Sequence, residues 1–203
     1  MAKQDQTKRY YEEHADIWLE RKNNSFFHEK QFTALFKHLT KGARVLDIGC
    51  AGGIHVPLFL GIGRHTKYEG IDITNKFLKT AQRRYPQLAF SYGDIVSGEG
   101  LPKKKYDAFC AVSVLMHAPE DKLDQTLDNV SRLMKPGAYG YLTYPMQHPS
   151  GEHADQDARH FTLLSEAEQK SLFKRHHWKI LKSGNMDGFS TPNVWKWYLV
   201  QLP

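Results

Sequence analysis

Cysteine is scarce: Cys50 and Cys110 are the only two in 203 residues. Each falls in an apolar, strand-like stretch, so a disulfide framework is excluded and both thiols are expected to be reduced. Long hydrophobic runs are missing too, and no stretch approaches the roughly 18 apolar residues of a membrane span. Residues 1–13 are polar and charged, without the apolar segment and small-residue cleavage site of a secretory signal, so a cytoplasmic location is expected. Internal repeats, low-complexity tracts and flexible linkers are also lacking. What remains is 40% hydrophobic and 25% charged, far from disordered or collagen-like compositions. The length suits one domain with a sizeable core. The net charge is +6, but the basic residues are scattered (Arg83-Arg84, Lys103-Lys104-Lys105, Lys174-Arg175), which reads as solvated helix ends and turns rather than a nucleic-acid-binding stripe.

Periodicity gives the elements. Phe32, Leu35, Phe36 and Leu39 put one apolar face on a helix over 28–39, and a more polar helix precedes it over 10–19. Strands are predicted at 44–49, 67–71, 88–92, 106–112 and 138–144. Helices fall between them at 54–62, after Thr74 as an N-cap and before Pro86, and over 120–134 up to a turn at Pro136-Gly137. Ser165 and Glu168 read as a capping box for a helix reaching residue 175. Two closing strands, 178–183 and 194–202, flank a predicted loop carrying Gly184, Asp187 and Gly188. With no helix between them, they should pair antiparallel. The alternation elsewhere implies a doubly wound, mostly parallel α/β sheet.

The run Val45-Leu46-Asp47-Ile48-Gly49-Cys50-Ala51-Gly52-Gly53 sits where the first strand gives way to a helix, a place where small residues let backbone approach a ligand. Asp72 ends the second strand 19 residues after Gly53, where a carboxylate can accept from both hydroxyls of a ribose. Gly93-Asp94-Ile95 follows the third strand, so three strand ends converge on one crevice. The glycine spacing differs from the G-x-G-x-x-G of dinucleotide enzymes, and Asp47 would repel a pyrophosphate.

VLDIGCAGG resembles motif I of class I S-adenosylmethionine-dependent methyltransferases, and Asp72, Asp94 and YDAFCAVSVLMHAP fall where that family has its ribose, adenine and post-strand-four elements. The resemblance covers nearly the whole chain, with Ala51 in place of the motif's middle glycine. It implies a Rossmann-like seven-stranded sheet with its last strand antiparallel. It also implies one methyltransferase domain over 1–203: a helical cap (1–40), a cofactor-binding core (41–145) and an acceptor side (146–203). The expected cofactor is S-adenosyl-L-methionine, converted to S-adenosyl-L-homocysteine. The expected cofactor contacts are Tyr11, Arg21, Asp47, Gly49, Cys50, Ala51, Gly53, Asp72, Ile73, Asp94, Ile95, Val112 and Ser113. His117 is the candidate base, and Arg159, Asp187 and Trp195 the candidate acceptor pocket.

An activated sulfonium methyl needs mainly alignment with its acceptor at about 3–3.5 Å, plus a base where the acceptor must lose a proton. A small-molecule acceptor is expected. The sequence has no Asn/Asp-Pro-Pro-aromatic run to grip a flipped base and no Pro-Cys nucleophile, although a tRNA or other RNA acceptor stays open, as does a non-catalytic cofactor binder. His148, His153 and His160 with Asp155 and Asp157 match no tight ligand spacing, so no metal is expected and this segment reads as an active-site lid or a polar loop.

Overall fold

The computed structural model describes residues 3–21, 28–150, 157–187 and 194–203, with only the backbone of residues 3, 4, 21 and 194. Its elements in chain order are α1 (Lys3–Arg21), α2 (Glu29–Phe36), β1 (Arg44–Ile48), α3 (Val56–Leu60), β2 (Lys67–Asp72), α4 (Asn75–Arg84) and β3 (Ala89–Tyr92). There follow β4 (Tyr106–Ala111), α5 (Leu123–Leu133), β5 (Met134–Pro145), α6 (Glu166–Arg175), β6 (Lys179–Asp187) and β7 (Val194–Gln201). All seven strands form one sheet in the order β3-β2-β1-β4-β5-β7-β6. The first five are parallel neighbours, and β7 runs antiparallel between β5 and β6. This is the doubly wound sheet with an antiparallel final strand expected from the sequence.

The two faces of the sheet are covered by different helices, and the period of two along each strand decides which side chain meets which. From β1, Leu46 and Ile48 enter a core with Leu127 and Val130 of α5 and Phe173 of α6. Val45 enters the opposite core, built on Phe32 and Leu35 of α2 and Phe59 of α3. Asp47 therefore shares Val45's face. No helix of the described residues is long and apolar enough to cross a membrane.

Three sequence expectations change. Pro136-Gly137 does not end the connection before β5. It lies inside the strand as a bulge, where Tyr106 pairs with Met134 but Ala108 pairs with Tyr139, and Gly137 takes φ +73°. Gly184 and Asp187 belong to β6, not to a loop, because both pair with β7; Gly188 lies outside the described residues. Thr74 occupies the N-cap of α4 without a side-chain cap bond. Glu12 of α1 caps that helix instead, its carboxylate accepting from Asn75 N at 2.5 Å and Lys76 N at 3.4 Å. The capping box at Ser165 is present: Glu168 N donates to Ser165 Oγ at 3.3 Å, and Ser165 N donates to the Glu168 carboxylate at 2.7 Å.

Candidate active site

At the carboxyl ends of β1, β2, β3 and β4 lies a cavity of about 380 Å³, inside the range of small-ligand sites. Its floor begins where β1 ends. Gly49 N and Cys50 N both donate to Ile71 O, at 2.8 and 3.0 Å, which bends the chain back over β2. Gly49 holds φ +71°, and a Cβ there would lie 1.9 Å from Val114 Cγ2, so only glycine fits. Ala51 also sits at positive φ, +47°. Its side chain belongs to a small apolar cluster with Ala15, Leu19 and Phe77.

The bend delivers Ala51 N to Asp72 Oδ2 at 2.9 Å, while Thr74 N donates to Oδ1 at 2.8 Å. Asp72 is 7% exposed and lines the cavity. Burial raises its carboxyl to about 6, with the two backbone donors opposing the shift. Each carboxylate oxygen has two lone pairs, so both keep acceptor capacity toward a ligand. Asp94 also lines the cavity, but its oxygens accept from Val96 N and from the Ser97 backbone and hydroxyl, shaping the turn after β3.

The roof comes from α1. Tyr11 and Trp18 stand against Phe77 of α4, with ring centroids 5.8 and 5.2 Å apart, making an apolar wall. Tyr11 Oη lies 3.1 Å from His117 Nε2 and 3.3 Å from Arg159 Nη1. His117 Nδ1 lies 2.7 Å from the His160 carbonyl oxygen, which can only accept. Nδ1 therefore carries the proton and Nε2 accepts from Tyr11. Burial pulls the imidazole down to about 4, so it is neutral near pH 7. Arg159 makes a two-point pair with Asp157 (Nε to Oδ1 2.8 Å, Nη2 to Oδ2 2.5 Å) and lies over the Tyr10 and Phe161 rings. Asp157 is held down to about 2; its burial opposes the charge, and the bonds from Arg159 and Ser150 prevail.

Most residues expected from the sequence meet here. Tyr11, Gly49, Cys50, Ala51, Asp72, Ile73, Asp94, Ile95, Val112, Ser113, His117, Arg159 and Trp195 all line the cavity. Three do not line it, and a fourth is not described. Asp47 follows the strand alternation into the α2/α3 layer, where Tyr68 Oη and Cys110 Sγ donate to it at 3.0 and 3.2 Å. Gly53, at φ +76°, is off the wall and backs onto the Tyr85 ring. Asp187 is exposed at the end of β6 and is not among the lining residues. The side chain of Arg21 lies outside the described residues, as do His153 and Asp155 of the histidine-rich segment. Among the described residues, no group of three His, Cys, Asp or Glu side chains could hold a metal.

Sequence reasoning missed Phe77 as a wall and the pair His28 and His55 at the end of the cavity bordered by α2 and α3. The amphipathic pattern of α4 assigns Phe77 only to packing. Nothing in sequence brings residues 28 and 55 together.

Residues 45–137 match the methyltransferase domain family. A solved magnesium protoporphyrin IX methyltransferase from Synechocystis PCC 6803, with bound S-adenosylhomocysteine, shares the fold with a TM-score of 0.78 at 16% identity, covering 100% of both chains. Just under half of the chain thus matches a methyltransferase domain, and the whole chain has a methyltransferase fold. Among curated methyltransferases, the ubiquinone biosynthesis O-methyltransferase of Thiobacillus denitrificans is 29% identical over 106 residues, 50% of this chain and 44% of that protein. The chain thus aligns with less than half the length of that relative. The N-methyltransferase NodS of Bradyrhizobium japonicum WM9, solved with S-adenosyl-L-homocysteine, gives a TM-score of 0.67 at 14% identity over 87% of this chain and 86% of that one. The methyltransferase family match takes in β1 to the start of β5 and hence the cavity floor. Tyr11, Arg159 and Trp195 lie outside it.

Proposed function

We propose that this methyltransferase binds S-adenosyl-L-methionine in the cavity above β1 to β4 and transfers its methyl group to a small-molecule acceptor. The observation that carries the reading is the Asp72 carboxylate. It is buried at the end of β2, is held by Ala51 N and Thr74 N, and retains lone pairs facing the cavity. Two ribose hydroxyls suit that acceptor set. Ile73, Ile95 and Phe77 supply apolar surface for an adenine, and the Gly49–Cys50–Ala51 bend lets backbone approach the rest of the nucleoside. Tyr11 and Trp18 offer ring faces that attract a sulfonium.

The donor, when bound, supplies an activated methyl on sulfonium; the chain supplies binding, alignment and exclusion of water. The α1 roof closes over the floor, held by Glu12 on α4 and by His160 N donating to Thr7 Oγ1 at 2.8 Å. Tyr11 and His117 together form the site's proton-accepting pair, and Arg159 and Trp195 border the acceptor. The relatives and solved neighbours with small-molecule names favour such an acceptor.

Calorimetry with S-adenosylmethionine and S-adenosylhomocysteine, followed by measurement of S-adenosylhomocysteine release across hydroxyl, amine and thiol acceptors, tests this. Binding of both and release with at least one acceptor class is expected. Binding with no release from any would leave a cofactor-binding protein without turnover. The +6 charge raises an RNA acceptor as the second reading. Methylation of bulk tRNA that falls steeply with added salt would favour it.

A further inference from the structure

The Tyr11 hydroxyl has one proton and two lone pairs. The proton points to His117 Nε2, because His117 Nδ1 is committed to the His160 carbonyl at 2.7 Å. One lone pair receives Arg159 Nη1–H at 3.3 Å. The second lone pair has no donor among the described residues, and Tyr11 lines the cavity. Arg159 is itself fixed by Asp157 and by the Tyr10 and Phe161 rings, so the phenol oxygen is held from both sides. His117 cannot reach a ligand through either nitrogen without giving up a bond it already makes.

From this bonding pattern we infer that Tyr11 Oη, not His117, is the catalytic group that takes the acceptor's proton, and that the acceptor is a nucleophile carrying an O–H or N–H. The inference rests on the methyl-transfer reading above. The acceptor's heteroatom forms its bond to the methyl carbon while the carbon–sulfur bond breaks, its electron pair staying on sulfur as the thioether. The acceptor's proton passes to Tyr11 Oη as Tyr11's own proton passes to His117 Nε2. The site starts with one positive charge on sulfonium and ends with one on imidazolium. No net charge is created in the buried site, so a weakly basic histidine suffices as the proton's destination. His117 acts through Tyr11 and is a positioning residue. A thiolate or another nucleophile already ionised would need neither group.

The test uses the full chain in two measurements. Long-range nitrogen–proton correlation on histidine-labelled protein should show His117 as the Nδ1–H tautomer. The Nε2–H tautomer would overturn the proposal whether or not any acceptor is known. Turnover is then followed with catechol, benzylamine and thiophenol as probes, which separates O–H, N–H and pre-ionised sulfur. Tyr11→Phe should lower kcat with catechol or benzylamine by about 10²- to 10⁴-fold. Its donor Kd should stay within about threefold of wild type, and thiophenol turnover should be largely spared. His117→Gln, which keeps a hydrogen-bond acceptor without the basicity, should follow Tyr11→Phe. Unchanged kcat in Tyr11→Phe, or loss of donor binding in its place, would overturn the assignment. Failure of wild-type protein to bind the donor would sink the methyl-transfer reading alone and leave the tautomer result standing.

Discussion

Ala51 N donates a 2.9 Å hydrogen bond to Asp72 Oδ2, joining the bend after β1 to the end of β2 across 21 residues. The same carboxylate is the proposed ribose acceptor, so the shape of the bend and the protonation of Asp72 are linked. The carboxyl is raised to about 6, chiefly by burial. If only its ionised form accepts the ribose hydroxyls, donor affinity should be level above pH 7 and about tenfold weaker at pH 5. Calorimetric titrations at pH 7.5 and 5.0 check this; equal affinities would disconnect Asp72 from the ligand.

Gly49→Ala should destabilise the fold by about 2–5 kcal/mol, combining left-handed backbone strain with overpacking against Val114. Val114→Ala in the same chain removes the clash and leaves the strain. Chemical denaturation of the two single variants and the double should therefore show a coupling of at least ~1 kcal/mol in favour of the double. Additive losses would contradict the contact.

Opposite pH dependences meet at the site. His117 falls to about 4. Between there and its ordinary range near 6.5 the unfolded chain holds a proton that the folded one lacks, and stability rises with pH. Asp72 reverses this: between 3.8 and about 6 the folded chain holds the extra proton, and stability falls as pH rises. Each is worth up to about 3 kcal/mol, so they nearly cancel between pH 4 and 6. Asp72→Asn should expose stability rising with pH across that window, and His117→Gln stability falling. Denaturation midpoints at pH 4.5 and 6.0 read the slopes, and identical slopes in the two variants would refute the assignment.

Glu12→Ala removes the carboxylate that caps α4 from outside. The loss should be about 1 kcal/mol. Because that contact also pins α1 over the cavity, stopped-flow dissociation of S-adenosylhomocysteine should be several-fold faster. An unchanged dissociation rate would mean that the roof is held elsewhere.

Much of this was legible in the sequence. The sheet could be read because its strands are short apolar runs separated by amphipathic helices, and Asp72 and Asp94 because residues ending parallel strands face one crevice. Asp47 misled because a motif gives position along the strand, whereas alternation gives the face. It points with Val45 toward α2 and α3. The Tyr11–His117 contact spans 106 residues and depends on how α1 folds back, which no local pattern encodes. Asp187 was misplaced because a glycine-containing stretch read as a loop, while pairing to β7 continues through it.

The central claim is that Asp72 holds an adenosine-bearing methyl donor, and the most direct measurement is S-adenosylmethionine affinity in wild-type protein against Asp72→Asn, with folding of both verified by thermal melting. A carboxylate accepting two hydroxyls contributes about 1.5–3 kcal/mol per bond, so the account predicts at least a tenfold loss of affinity in folded Asp72→Asn. Equal binding by the two proteins, or no binding by wild type, would contradict it.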